Sequence, residues 1–323
     1  MNDAFWKDRP VLITGGAGFL GNHLAGKLVK AGASVTIIAR DDVRLGLRWC
    51  VDRVAYGNVC DQAFVERVLG ENEIDTVFHL AAQVIVPIAN RNPVSTFESN
   101  IKGTWSVLEA CRRSPKVERI VVASTDKVYG EVQDNQSYRE DDRLDAVHPY
   151  DVSKLCADVL ARSYARTYDM NIAITRSGNY YGPGDHNWSR IVPGTIRSII
   201  RGQRPVIRSS GNQTREYFYI MDAVDANMVL AESMYGFRGA AFNFSSGEGY
   251  STREVVQIIL DGMGSDFKPN IHGNDNGEID KQLLDCSKAK SLLGWEPRFS
   301  FRKGLVPTIE YYKEVLDESC YRE

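Results

Sequence analysis

The sequence predicts an α/β fold, a doubly wound parallel sheet that carries a smaller C-terminal α/β lobe. Three observations predict it. Short apolar runs alternate with helix-period segments through the first half, a glycine-rich turn directly follows the first apolar run, and the texture changes after Arg176 to stretches rich in Gly, Pro, Asn and Arg. In order, strands are expected at 11–14, 34–39, 76–80 and 119–124, with helices at 19–31 and 94–113. A long helix at 149–168 and a strand at 171–175 complete this half.

The second half reads as loops with a helix near 192–201, an aromatic strand at 217–220 and a helix at 222–233. Ser251 and Glu254 have capping-box spacing and start another helix, and a last helix is expected near 304–316. The domains expected are therefore a large unit at 1–177, joined by a returning segment at about 214–245, and a small lobe built from 178–213 and 246–323.

The 323 residues are 43% hydrophobic and 25% charged, which fits a globular enzyme-sized chain. The net charge of −3 provides no electrostatic footprint for nucleic acid. The apolar runs are too short to span a bilayer, and Met1–Pro10 is too polar for a secretion signal. The six cysteines form no CxxC pair, so reduced thiols and a cytoplasmic location are expected. The histidines show no metal-ligand spacing, so no metal site is expected.

The run Thr14-Gly15-Gly16-Ala17-Gly18-Phe19-Leu20-Gly21 lies between a strand and a helix. Glycines there let the backbone approach a pyrophosphate, which then rests on the helix N-terminus. This is the turn of a Rossmann-type dinucleotide-binding fold, with Gly15, Gly18, Phe19 and Leu20 as cofactor contacts. At the end of the second strand stands Ala39-Arg40-Asp41. An acid at that place bonds the ribose of NAD, whereas an arginine accommodates the 2′-phosphate of NADP. Arg40 favours NADP, and Asp41 holding the ribose is the alternative. Asn58, followed by Val59, is a candidate for the adenine edge because an amide both donates and accepts.

Tyr150 and Lys154, four residues apart, share one helix face. A nearby ammonium and a positive nicotinamide both favour the phenolate, which can take a proton from a substrate hydroxyl. Ser124 and Thr125 end a preceding strand, where a hydroxyl can bond the substrate oxygen.

Taken together, the glycine turn, His79-Leu80-Ala81-Ala82, Asn100, Ser124-Thr125, Tyr150 to Lys154, Arg176 to Pro183, Arg215 to Asp222 and Leu293-Gly294-Trp295 resemble the extended short-chain dehydrogenase/reductases. The resemblance covers nearly the whole chain. It implies an NAD(P)-dependent enzyme of the epimerase/dehydratase family acting on a nucleotide-diphosphate sugar. It adds Leu80, Ala81, Ala82 and Asn100 to the cofactor residues, and Asn179 and Arg215 as ligands of the substrate diphosphate. Arg190 is a further phosphate candidate, with a plain surface charge as the alternative. The resemblance also implies a homodimer through the helices at 94–113 and 149–168.

After Ser124-Thr125 come Asp126 and Lys127. This resembles the nucleotide-sugar 4,6-dehydratases, in particular the Asp-Lys variant found in CDP-glucose dehydratases. By that likeness Asp126 protonates the leaving C6 hydroxyl and Lys127 takes the C5 proton. Val86-Pro87-Ile88-Ala89 instead looks like the inverting UDP-N-acetylglucosamine branch, so the base and sugar stay open. The alternatives are a 4-epimerase on the same scaffold, which has no use for the Asp126–Lys127 pair, and a non-catalytic dinucleotide sensor, which has no use for Tyr150 and Lys154.

Overall fold

The computed structural model describes residues 2–40, 51–131, 137–274 and 279–319. Its strands are β1 (Pro10–Thr14), β2 (Ser34–Ala39), β3 (Arg53–Tyr56), β4 (Thr76–His79), β5 (Arg119–Ala123), β6 (Ile172–Ser177), β7 (Asn179–Tyr181), β8 (Val206–Ile207), β9 (Thr214–Tyr219), β10 (Ala241–Phe244), β11 (Gly249–Ser251), β12 (Asn270–Ile271) and β13 (Lys281–Gln282). Seven of them form one sheet in the order β10-β6-β5-β4-β1-β2-β3. Every pairing in that sheet is parallel.

The doubly wound sheet follows from strands buried on both faces. Along β1, Val11 and Ile13 enter one core and Leu12 the other, as a period of two requires. The helices Phe19–Lys30 and Ile220–Glu232 supply the first core with Leu24, Leu28, Val224 and Met228. The helices Gln62–Glu71, Gly103–Arg113 and Pro149–Thr167 supply the second with Val65, Leu69, Val107, Leu108, Ala161 and Ala165. Strand order reverses at β1, between β2 and β4, and there the crevice for a ligand opens.

The helix expected at 94–113 is interrupted. Helical turns at Pro93–Phe97 and Gly103–Arg113 flank a π turn at Glu98–Lys102. Asn100 in that turn is fully buried and points inward, a use for which π turns recur at functional sites. Val107, Leu108 and Cys111 face the sheet, so the apolar residues on this helix do not all belong to an outer seam.

The segment expected to return to the large unit at 214–245 is divided. Thr214–Tyr219 is the centre of a separate four-stranded sheet, pairing with β7 and β13 in parallel and with β11 antiparallel. Helix Ile220–Glu232 and β10 then rejoin the large sheet. The reason is register: Tyr217, Phe218 and Tyr219 pair with Asn179, Tyr180 and Tyr181. Their rings pack on Phe299, Phe301 and Trp295 of the C-terminal segment. The helix expected after Ser251 forms as Thr252–Met263 with the full capping box.

Candidate active site

The glycine turn is closed by backbone contacts that exclude side chains. A Cβ on Gly15 would lie 2.9 Å from the Ala81 backbone, and Gly15 has φ +69°. A Cβ on Gly21 would come within 2.3 Å of the Gly15 carbonyl oxygen. The helix Phe19–Lys30 begins with Gly18 as N-cap and has no side-chain cap and no acid in its first turn. Its first N–H groups therefore have no intrahelical partner and offer an anion site.

One cavity of about 230 Å³ adjoins this turn and gathers Gly15, Arg40, Asn58, Val59, Ala81 and Ala82. Gln83 and Ser99 also line it and were not marked in the sequence; only the short spacing after Ala81-Ala82 hinted at the first. Gly18, Phe19 and Leu20 stand at the helix start beside it, with Phe19 edge-on to His23 at 5.6 Å. The Asn58 side-chain Oδ1 atom accepts from the Cys60 N–H at 3.0 Å, which engages the acceptor expected for adenine in a local turn. Asp41 lies outside the described residues.

His79 packs beside this cavity. Its ring bonds Thr14 at 2.8 Å and Thr104 at 3.0 Å. Burial pushes its pKa down to about 3, so the ring is neutral. The Thr14 hydroxyl accepts from the Leu80 and Ala81 N–H groups at 3.2 and 3.3 Å, which fixes the strand end beneath the glycine turn. Asn100 accepts from the Gln83 N–H at 2.7 Å, donates to the Gln83 carbonyl at 3.1 Å and to Ser153 at 2.8 Å. It thereby ties the cavity wall to the helix that carries Tyr150.

The polar floor lies at the end of β5. Thr125 caps the short turn Asp126–Tyr129 and donates to the Asp126 carboxylate at 3.0 Å. Asp126 is buried. Burial raises its pKa, against the nearby Lys127 and Arg215 cations, while Asp151 raises it further. Ser124 is buried and its hydroxyl has no partner among the described residues. Asp151, missed in the sequence although it directly follows Tyr150, is buried with a raised pKa and feels Lys127 and His148.

Lys154 donates to the Ala123 carbonyl. Burial pushes its pKa down to about 8. The expected lowering of the Tyr150 pKa is not found: burial raises it, and the Asp126 and Asp151 carboxylates add to the rise, against Arg190 and the Thr125 hydroxyl. Burial and the two carboxylates thus hold the phenol in its protonated form.

The small lobe supplies the opposite wall. Asn179 begins β7. The Arg215 guanidinium, near enough to Asp126 for its charge to act there, donates to the carbonyls of Thr214, at 2.8 Å, and Ile279. Arg190 is half-buried and pairs through one guanidinium nitrogen with buried Asp185 at 3.0 Å. Glu216 is buried between the Ser245 hydroxyl and the Leu284 N–H, each at 2.8 Å, and burial pushes its pKa up to about 7. Among the described residues no group of His, Cys, Asp and Glu side chains is arranged to hold a metal ion.

The family model described as GDP-mannose 4,6 dehydratase matches residues 12–308. The chain is 29% identical over 331 residues to the Arabidopsis thaliana trifunctional UDP-glucose 4,6-dehydratase/UDP-4-keto-6-deoxy-D-glucose 3,5-epimerase/UDP-4-keto-L-rhamnose-reductase, covering 97% of itself and 48% of that protein. It thus spans about half the length of that relative. Among solved structures, the Thermotoga maritima UDP-glucose 4-epimerase with UDP-glucose aligns at TM-score 0.89 and 29% identity, over 95% of this chain and 99% of that one. The Streptomyces venezuelae dTDP-glucose 4,6-dehydratase DesIV, with NAD bound, aligns at 0.85 and 29%, over 94% and 97%. The chain therefore belongs to the GDP-mannose 4,6 dehydratase family, within the nicotinamide-dependent epimerases and dehydratases of the short-chain dehydrogenase/reductase fold.

Proposed function

We propose that this protein is a nucleotide-sugar 4,6-dehydratase, converting an NDP-hexose or NDP-N-acetylhexosamine to its 4-keto-6-deoxy product. The observation that carries this reading is Asp126, a buried acid of raised pKa beside half-buried Lys127, at the strand end next to Tyr150. A 4-epimerase has no use for a protonated acid there, whereas loss of a hydroxyl as water needs one.

The glycine cradle, the bare helix N-terminus and the adjoining cavity fit a nicotinamide dinucleotide. Gly15, Gly18, Phe19, Leu20, Asn58, Val59, Leu80, Ala81, Ala82 and Asn100 would hold or frame it. Arg40 at the end of β2 favours the phosphorylated form, NADP, because a guanidinium fork matches a phosphate. A nicotinamide held there would supply the hydride acceptor for oxidation at C4 and the hydride donor for reduction at C6.

The protein groups then divide the proton transfers. Tyr150 takes the proton of the C4 hydroxyl once a positive charge beside it offsets its burial. Lys154 supports that step, and the Ser124 and Thr125 hydroxyls bond the C4 oxygen. Oxidation at C4 acidifies the C5–H, so Lys127 can remove it. As the C5–C6 double bond forms and the C6–O bond breaks, Asp126 gives its proton to the leaving oxygen, and water departs. Asn179, Arg190 and Arg215 are the diphosphate ligands on this reading; both arginines must exchange their present partners to serve.

Val94, Trp105 and Val159 stand 65%, 42% and 49% exposed on the two long helical segments of one face, which supports a homodimer through that face. The described cysteines Cys60, Cys111, Cys156 and Cys286 are unbonded, and no helix of the described residues is long and apolar enough to cross a membrane. Both observations support a cytoplasmic enzyme. The test of function is mass spectrometry of CDP-glucose, UDP-N-acetylglucosamine, GDP-mannose and dTDP-glucose incubated with the protein. Loss of one water from one of them is the expected result, and isomerisation without a mass change would favour the epimerase.

A further inference from the structure

The dehydration chemistry leaves Tyr180 of β7 unused, as it does Asp151 and Glu216. Between β6 and β7 the chain passes Asp126 at Gly178, where a Cβ would stand 3.6 Å from the Asp126 Oδ2 atom. Side chains on an extended strand alternate, so Tyr180 follows on the side that Gly178 turns to the carboxyl. Tyr181 goes the other way, donating to the Phe301 carbonyl at 3.0 Å within the aromatic core.

The position of the Tyr180 ring is held by the small sheet. It pairs in register with Phe218, with ring centroids 6.0 Å apart, and Phe218 is itself fully buried against Trp295. The phenol lies near enough to Asp126 and Arg190 to feel both charges. Burial pushes its pKa up to about 12, so it remains a proton-bearing donor through the neutral range. The Ser177 hydroxyl stands beside the phenol and works against that rise. Asp126 is oriented to match: Thr125 holds Oδ1 at 3.0 Å, and Oδ2 faces Gly178.

We infer that Tyr180 is a second leaving-group residue, its O–H donating a hydrogen bond to the C6 oxygen while Asp126 protonates that oxygen. The inference rests on the dehydratase reading. Lys127 receives the C5 proton, the C5–H electron pair becomes the C5–C6 double bond, and the C6–O pair goes to the oxygen. That oxygen leaves as water with its own hydrogen and the one from Asp126. Tyr180 transfers no proton; it stabilises the charge that grows on the oxygen before the Asp126 proton has fully arrived, as a fixed donor in a water-poor site does.

The experiment is rapid quench of wild type and Tyr180→Phe holoenzymes with the nucleotide sugar that the wild type dehydrates, read by mass spectrometry. The variant removes one oxygen and keeps the ring on Phe218; equal cofactor content and melting temperature confirm that it folds. The expected result is water loss slowed about tenfold, the scale of one hydrogen bond. The oxidised 4-keto sugar that still carries its C6 hydroxyl should accumulate. Ser177→Ala should give a smaller slowing of the same step. Wild-type dehydration matched by Tyr180→Phe within about twofold overturns the role of Tyr180 alone. A variant slowed equally in oxidation and water loss, or altered only in KM, also overturns it and makes Tyr180 a binding residue. A wild type that releases no water from any sugar of the panel overturns the dehydratase reading and this inference together.

Discussion

The two ends of the crevice are built from different materials. The cofactor end is backbone and glycine: it admits no Cβ at Gly15 or Gly21. Apart from Arg40, the described residues that line its cavity carry no ionisable side chain. The sugar end is crowded with buried ionisable groups, Asp126, Asp151, Lys154 and Glu216, each with a pKa shifted by burial. Binding of a dinucleotide needs shape and oriented N–H groups, whereas moving protons to and from carbon needs acids and bases away from their solution pKa values. Substitutions at the first end should therefore change affinity with the chemistry intact, and those at the second should do the reverse.

The largest effect is expected at the sugar end. Asp126→Asn should slow water loss by about a thousandfold, the scale of general acid catalysis, with cofactor content unchanged. Lys127→Ala should do the same through the C5 proton. Parallel assays of product formation and bound dinucleotide check both, and normal dehydration in either variant would remove its residue from the mechanism. At the other end, Gly21→Ala drives a methyl group to within 2.3 Å of the Gly15 carbonyl oxygen. Overpacking of about 3 kcal/mol corresponds to roughly hundredfold weaker dinucleotide binding, measurable by calorimetry. A smaller change is expected from Arg40→Ala, about tenfold in NADP affinity with NAD affinity unmoved.

The smallest effect is on stability. The Glu216 carboxyl titrates near 4.5 when exposed and near 7 in the fold, so the native state keeps a proton that the unfolded chain has lost. Its contribution is full below the lower value and is lost as pH rises through the upper one. The melting temperature should fall between about pH 5 and about pH 8, and Glu216→Gln should flatten that fall.

Legibility in the sequence divides along the same line. The large sheet was readable because its strands are continuous apolar runs set off by turns, and β2 forms over the residues expected. The glycine turn was readable because a requirement for no side chain can be met by one residue type only. β3 was not foreseen, since Arg53–Tyr56 is a short, half-exposed edge strand without a run of its own. Thr214–Tyr219 went to the wrong sheet because pairing register is a tertiary property. Asp151, Tyr180 and Glu216 carried no signal of their own: what singles them out is burial near Asp126, which only the packed chain reveals. The Lys154 contact with the Ala123 carbonyl and the burial that raises the Tyr150 pKa are hidden for the same reason.

The most direct test of this account is the reaction run in D2O with the sugar the enzyme accepts, followed by mass spectrometry and NMR of the product. Dehydration through Asp126 and Lys127 predicts a 4-keto-6-deoxy sugar that carries solvent deuterium at C5 and the original C4 hydrogen at C6. A sugar isomer that retains all its oxygen and gains no deuterium would contradict it.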